Sequence, residues 1–127
     1  MLVQRLFFSV ADLHRGDLVT IREFGRTIVK RIVGLPGERI SAAGDSAEVN
    51  GRTIPEPWLR NITNTCVDTH KSSVSMVLTS GEYFVMGDCR SLSTDSRAFG
   101  PVSETLITGR VWSVIAKSGH PWFSFVH

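Results

Sequence analysis

The stretch TIVKRIVGLPGERI, Thr27–Ile40, places a lysine inside a run of β-branched residues. Such residues favour a strand, and the sequence GLPG, which begins at Gly34, predicts a turn that ends it. Because side chains alternate across a strand, Lys30 shares a face with the apolar Ile28 and Ile32. A lysine with apolar neighbours loses its preference for the charged form and can then serve as a neutral general base near pH 7. The alternative is an edge strand whose basic side chains extend into water.

Strand and turn signals recur at short intervals, and no segment shows sustained 3.6-residue periodicity, so the sequence predicts an all-β or mainly β domain. The sequence VNGRTI, residues 49–54, predicts a β-hairpin because Asn-Gly between β-branched flanks is typical of a two-residue turn. Further strands are predicted at Leu18–Arg22, Met76–Leu78, Glu82–Met86 and Leu106–Ala116.

Three further predictions concern the connections. The strands at Met76–Leu78 and Glu82–Met86 flank a turn and are expected to pair with each other. Residues Arg60–Ser75 are polar and aperiodic, which indicates a long surface loop. Gly109 predicts a bulge or bend in the closing strand, and the tail from Lys117 onward has no assignment.

Length and composition limit the class of protein. A chain of 127 residues with 42% hydrophobic residues is long enough for one compact core and short for two. The net charge of +2 arises from 14 basic and 12 acidic residues that are interspersed, which does not indicate a nucleic-acid partner. No apolar run approaches the roughly 18 residues of a membrane-spanning helix. We therefore expect the chain as given to be soluble.

The cysteines and histidines of this sequence do not indicate a metal site. The two cysteines, Cys66 and Cys89, lack the paired spacing of zinc ligands, and the simplest interpretation is two ordinary small side chains. They could form a disulfide if the domain is extracytoplasmic, but a sequence does not show proximity. The four histidines are scattered without ligand spacing, and nothing in the sequence indicates a cofactor.

The run GDCRSLSTDSRAFGPV, residues 87–102, is dense in groups that form hydrogen bonds or ion pairs. It contains two acidic and two basic side chains within ten residues, namely Asp88, Arg90, Asp95 and Arg97. If this segment is extended, Asp95 and Arg97 share a face and can pair, which would fix a loop that carries a functional hydroxyl. The alternative is a solvated loop whose exposed charges contribute little to stability.

Two blocks of this sequence resemble the signatures of one enzyme family. VKRIVGLPGERI, residues 29–40, and YFVMGDCRSLSTDSRAFGPV, residues 83–102, resemble those of the type I signal peptidases, membrane-bound serine proteases with a serine and lysine dyad. Shorter matches occur in the same order at RGDLVTI, VNGRTIPEPWL and ITGRVWSVI. The resemblance thus covers nearly the whole chain.

The resemblance implies roles for particular residues. Lys30 takes the place of the general base, and Ser93 matches the serine whose hydroxyl orients that lysine. Asp95 and Arg97 match the ion pair that holds the loop beside this serine. Asp88 and Arg90 lie in the same loop and are also expected to fix it. Substrate contacts are implied at Ile28 and Val29, where family members line shallow pockets for the small side chains before the cleavage site.

The resemblance also implies a fold and an activity. The family fold is an antiparallel β-sheet domain, and its substrate lies extended along a strand edge. The implied reaction is removal of N-terminal signal peptides from exported preproteins through an acyl-enzyme, with no metal or cofactor and no nucleic acid. The full-length protein is expected in the plasma membrane with this domain outside the cytoplasm.

The sequence departs from the family pattern at two places. The nucleophilic serine of the family lies in an SMxPTL motif ahead of the lysine, after a membrane anchor. That motif is absent here, and the only serine before Lys30 is Ser9, which we interpret as peripheral. Residues 1–127 are therefore expected to be a single β-rich catalytic domain that lacks its anchor and nucleophile motif and is inactive alone. Cys89 stands where the family usually has asparagine, so one loop hydrogen bond is expected to be lost.

Two alternatives remain at this point. The missing serine motif and Cys89 would also fit a homologue that has lost catalysis and only binds extended peptides. A β-fold self-cleaving repressor shares the serine and lysine dyad, but it predicts a helix-turn-helix segment, which this sequence does not show.

Overall fold

Short strands joined by tight turns dominate the computed structural model, which describes residues 2–4, 12–69 and 72–113. Ser9 and the tail from Lys117 lie outside the described residues. Within them, the strands are β1 (Leu2–Gln4), β2 (Leu18–Glu23), β3 (Arg26–Gly34), β4 (Arg39–Ala43), β5 (Ser46–Val49), β6 (Arg52–Thr53), β7 (Ser73–Val77), β8 (Glu82–Met86), β9 (Val102–Ser103) and β10 (Ile107–Ser113). One short α-helix, α1 (Ser96–Phe99), and 3₁₀ turns at Pro57–Leu59, Asn64–Cys66 and Glu104–Leu106 complete these elements.

The strands form two antiparallel sheets, which confirms the predicted mainly β, antiparallel fold. One sheet has the order β1-β10-β2-β3-β8-β9, and the other has the order β6-β5-β4-β7. The strand that carries Lys30 is β3, which lies between β2 and β8. The alternative of an edge strand with solvated basic side chains is wrong for Lys30, because β3 pairs with β2 and, from Arg31 onward, with β8, and Lys30 is buried.

Two local predictions are confirmed. The Asn-Gly hairpin joins β5 to β6, and both turn residues have positive φ, at 52° for Asn50 and 84° for Gly51. These values fit the two-residue turn for which Asn-Gly is the preferred sequence. In β10 the register with β2 shifts between Ile107 and Gly109, which is the predicted irregularity at the glycine.

The predicted pairing of the strands on either side of Gly81 is wrong. β7 pairs with β4 at the edge of the four-stranded sheet, whereas β8 pairs with β3 in the six-stranded sheet. The burial patterns give the reason, since β7 alternates between exposed and half-buried positions while Tyr83–Met86 of β8 is buried throughout. The predicted surface loop Arg60–Ser75 also ends early, because β7 begins at Ser73.

The hydrophobic core has two main clusters, on opposite faces of the six-stranded sheet. Adjacent residues of β3 belong to different clusters, because their side chains point to opposite faces of the sheet. Ile32 lies in the first cluster and Val33 in the second. The second cluster includes residues of β4 and β5 and therefore lies between the two sheets. The sheets approach closely at Gly34, where a Cβ would lie 3.0 Å from the Cδ1 of Ile40 in β4.

Candidate active site

Lys30 lies in the middle of β3, opposite Val19 of β2, with only 5% of its surface exposed. On the same strand, Ile32 belongs to the first core cluster and Ile28 packs against it. The amine Nζ donates a hydrogen bond to the Ser93 Oγ at 2.9 Å. The prediction that this lysine is removed from water is therefore confirmed, although its role in catalysis stays a prediction.

The surroundings of Lys30 lower the pKa of its amine. Burial is the largest cause, because a desolvated ammonium is less stable than the neutral amine. The negative charge of Asp95 opposes this shift, and the positive charges of Arg97 and Arg26 add to it. The net effect is a pKa below the ordinary lysine value, which increases the fraction of neutral amine at a given pH.

Ser93 is held from several directions. Its hydroxyl accepts hydrogen bonds from the Lys30 amine and from the backbone N–H of Gly87, at 2.9 and 3.1 Å. Its own backbone N–H donates to the Cys89 carbonyl at 2.9 Å. The Gly87 N–H also donates to the Asp95 Oδ2 at 3.0 Å, so one backbone group links the serine and the carboxylate.

Asp95 and Arg97 form the predicted ion pair, but the backbone is not extended. Arg97 Nε and Nη2 donate to the two carboxylate oxygens of Asp95, each at 2.9 Å. Asp95 is the N-cap of α1, and its carboxylate also accepts from the Arg97 N–H. Burial raises the pKa of Asp95, but the Arg97 hydrogen bond and charge, with the Gly87 N–H and the Ser93 hydroxyl, hold it below its usual value.

Asp88 and Arg90 fix the loop through partners elsewhere in the chain. Arg31 Nη2 lies 2.6 Å from the Asp88 Oδ2, and Arg90 Nη2 lies 2.6 Å from the Glu56 Oε1. Asp88, Arg90 and Asp95 are all buried, so the alternative of a solvated loop is wrong. Sequence reasoning missed both outside partners, because it singled out Lys30 rather than Arg31 and left Glu56 without a role.

The two cysteines form a disulfide, with their Cα atoms 4.4 Å apart. The expectation of two ordinary unpaired side chains is therefore wrong. The sequence could not reveal this, because Cys66 and Cys89 are 23 positions apart and the segment between them includes β7 and β8. In place of the side-chain hydrogen bonds of an asparagine, Cys89 makes a covalent link to a distant segment.

Ile28 and Val29 are both half-buried, and they contact different groups of residues. Ile28 packs against the first core cluster, whereas Val29 packs against Leu18 and Val111. Their implied role in substrate binding stays a prediction. A cleft of about 490 Å³ opens beside Ser93, with Ala42 and Val74 in its lining.

Within residues 12–69 and 72–113, no group of three histidine, cysteine or acidic side chains could hold a metal ion. The same part of the chain contains no helix with the length and hydrophobicity needed to cross a membrane.

Comparisons with known proteins find relatives over most of the chain. The family model for "Signal peptidase, peptidase S26" matches residues 1–116. Signal peptidase I V of Bacillus subtilis is 33% identical over 118 residues, which cover 86% of this chain and 70% of the relative. Signal peptidase I U of the same organism is 36% identical over 86% of this chain and 62% of its own length. Signal peptidase IB of Staphylococcus aureus is 32% identical over 82% of this chain and 61% of its own length.

A solved structure has the same fold. The crystal structure of a signal peptidase I from Enterococcus faecalis superposes with a TM-score of 0.67 at 28% identity, covering 82% of this chain and all of that one. The fold is thus that of a signal peptidase type of β domain. The chain belongs to the signal peptidase family, peptidase S26. It spans 61 to 70% of the length of the three curated relatives above.

Proposed function

We propose that this chain is the catalytic region of a type I signal peptidase, a serine endopeptidase that removes N-terminal signal peptides from exported preproteins. The observation that carries the proposal is the buried Lys30 amine, 2.9 Å from the Ser93 hydroxyl. Both residues lie within the two signature blocks, and the relatives of this chain are named signal peptidase I.

In this proposal Lys30 is the general base. A neutral amine keeps N–H groups to donate to Ser93 and has a lone pair free to accept a proton. The proton would come from a nucleophilic serine in the motif that the family carries ahead of the lysine. As that serine attacks the scissile carbonyl, Lys30 takes its proton and then gives it to the departing amine. Lys30 next deprotonates a water molecule, which hydrolyses the acyl-enzyme.

Ser93 and the loop around it would orient this base. The Gly87 N–H and the Lys30 amine both donate to the Ser93 hydroxyl, which limits the positions that the amine can take. The Asp95–Arg97 pair holds the same loop from its far end. These residues would therefore position the lysine without contacting the substrate.

The proposed substrate is an extended peptide, and its small side chains before the cleavage site would contact Ile28 and Val29. In the full-length protein we place this domain outside the cytoplasm, at the plasma membrane. The Cys66–Cys89 disulfide supports this location, because disulfides persist in oxidising compartments.

The test uses the full-length gene product and a preprotein substrate. We expect signal peptide removal by the wild type and a loss of at least about 100-fold in Lys30→Met, as is typical when a general base is removed. Lys71→Met is the control for loss of a lysine charge, and it should retain activity. If the wild type binds the peptide without cleaving it, the protein is instead a homologue that only binds extended peptides.

A further inference from the structure

One segment covers the loop that carries Ser93, and a covalent bond attaches it there. We call residues Asn64–Asp68 the strap and residues Gly87–Asp95 the signature loop. The strap contains the 3₁₀ turn Asn64–Cys66, none of whose residues is buried. A segment without buried residues gains little from hydrophobic packing. Its position therefore depends on specific bonds to its neighbours.

Those bonds converge on the signature loop and on the arginine that pairs with it. Cys66 is bonded to Cys89 through sulfur, and the Cys66 carbonyl accepts from the Ser91 N–H at 3.1 Å. The Ser91 hydroxyl donates to the Thr65 carbonyl. At the end of the strap, Asp68 accepts from Arg97 Nη1 at 3.1 Å. The strap is thus joined to both sides of Ser93.

The part of the signature loop that holds Ser93 is the part joined to the strap. The start of the loop is fixed by Asp88 to β3, and its end is fixed by the N-cap at Asp95. Between these points the Cys89 carbonyl accepts from the N–H groups of Leu92 and Ser93, which forms the turn that presents the Ser93 hydroxyl. Arg90, which lies between Cys89 and Ser91, is held separately by Glu56. The side chains of Cys89 and Ser91 both bond to the strap, so a displaced strap would remove the bonds on either side of Arg90 and loosen this turn.

We propose that the Cys66–Cys89 disulfide is a positioning element of the lysine site, which holds Ser93 against Lys30 through the turn at Cys89. The inference rests on the proposed function only in treating this lysine as the base. Breaking the sulfur–sulfur bond consumes two electrons and two protons, which a dithiol supplies as it becomes a disulfide itself. With the bond broken, the loop would loosen and water would reach the amine.

The test measures the Lys30 titration by NMR in the whole chain labelled with ¹³C-lysine. The chain has three lysines, Lys30, Lys71 and Lys117, so the signal of Lys30 can be assigned by its absence in Lys30→Met. The variant is Cys66→Ser with Cys89→Ser, and the wild type reduced with dithiothreitol is measured in parallel. We expect the Lys30 pKa to rise by about one unit in both, because desolvation by the loop is relieved.

A matched control separates positioning from stability. Val49→Ala removes buried side-chain volume from β5, so it should lower the melting temperature while leaving the Lys30 titration unchanged. If the disulfide-free protein is folded and titrates like the wild type, the proposal is overturned. It is also overturned if both disulfide-free forms unfold, since the bond would then serve stability alone.

Failure of the proposed function gives a different result. If Lys30 of the oxidised wild type titrates near 10.4, the general-base role fails whatever the disulfide variants show. If the oxidised Lys30 titrates low and the disulfide-free forms do not change it, only the positioning role of the disulfide fails.

Discussion

The Ser93 hydroxyl lies 2.9 Å from the Lys30 amine, although the two residues are 63 positions apart in the chain. The register of β3 with β8 explains this proximity. Arg31 pairs with Met86, and the signature loop begins at the next residue, Gly87. The loop therefore starts beside Lys30, and the turn at Cys89 brings Ser93 back over β3.

This contact predicts a selective effect of Ser93→Ala. In the full-length protein we expect cleavage to fall by roughly 10-fold to 100-fold, the range for one hydrogen bond that involves a charged or catalytic group. The control is Ser96→Ala in α1, whose hydroxyl is buried and accepts from the Val85 N–H at 2.9 Å, whereas Ser93 is half-buried. Loss of that acceptor should cost about 1–3 kcal/mol of stability and leave activity unchanged. Equal losses of activity in the two variants would contradict the orienting role of Ser93.

The burial of Lys30 predicts a pH-dependent stability difference between the wild type and Lys30→Met. The folded-state pKa of Lys30 is lowered, so the unfolded state binds more protons between that pKa and the unfolded value near 10.4. The free energy of unfolding of the wild type therefore rises with pH across that window. This added stability is lost as pH falls through the folded pKa. Urea unfolding of both proteins across the window should show the wild type improving relative to the variant. A difference that does not change with pH would contradict a lowered pKa.

The lowered pKa of Asp95 predicts a loss of stability at acid pH. Its folded pKa lies below its unfolded value, so its ion pair with Arg97 contributes fully above about pH 3.9 and is lost as pH falls through the folded pKa. We expect Asp95→Asn to be less stable than the wild type by about 3 kcal/mol at neutral pH, since it breaks a buried pair. The difference should shrink below pH 3.9 in acid unfolding experiments. A constant difference down to the lowest accessible pH would contradict this account.

The Arg90–Glu56 pair predicts that removal of the Glu56 side chain lowers stability strongly, although Glu56 is far from Lys30 in sequence. The side chain of Arg90 is 1% exposed, and Glu56 supplies its carboxylate partner. Glu56→Ala leaves this guanidinium without its counter-charge and should cost about 3–5 kcal/mol in urea unfolding. Glu48→Ala, at an exposed position of β5, is the control and should change stability by about 0.5 kcal/mol or less. A similar small cost at Glu56 would mean that Arg90 is satisfied by its backbone acceptors alone.

Local chemistry explains which parts of the fold were predictable. The Asn50-Gly51 turn and the strand before Gly34 follow from backbone preferences of a few neighbouring residues, and both are present. The Ser93–Lys30 contact was implied only by resemblance, because nothing in the residues between them shows that β3 and β8 are neighbours. The ion pair of Asp95 was predicted from spacing, but its N-cap geometry was not.

The remaining errors involve contacts between residues that are distant in sequence. Whether β7 pairs with β8 or with β4 depends on which sheet can bury each strand, and the turn at Gly81 is compatible with both. The partners of Arg90 and Cys66 depend in the same way on the completed fold. Cysteine count and context favour pairing only when the compartment is known, which explains why the disulfide was not predicted.

The position of β10 has a consequence for synthesis of the protein. This strand, which ends at Ser113, lies between β1 and β2 in the six-stranded sheet. A ribosome releases the chain from its N-terminus, so β1 and β2 must wait for nearly all the described residues before their shared neighbour arrives. A nascent chain that stops short of this strand would leave β1 and β2 without the neighbour that pairs with both of them. The six-stranded sheet would thus be completed only after Ser113 has been synthesised.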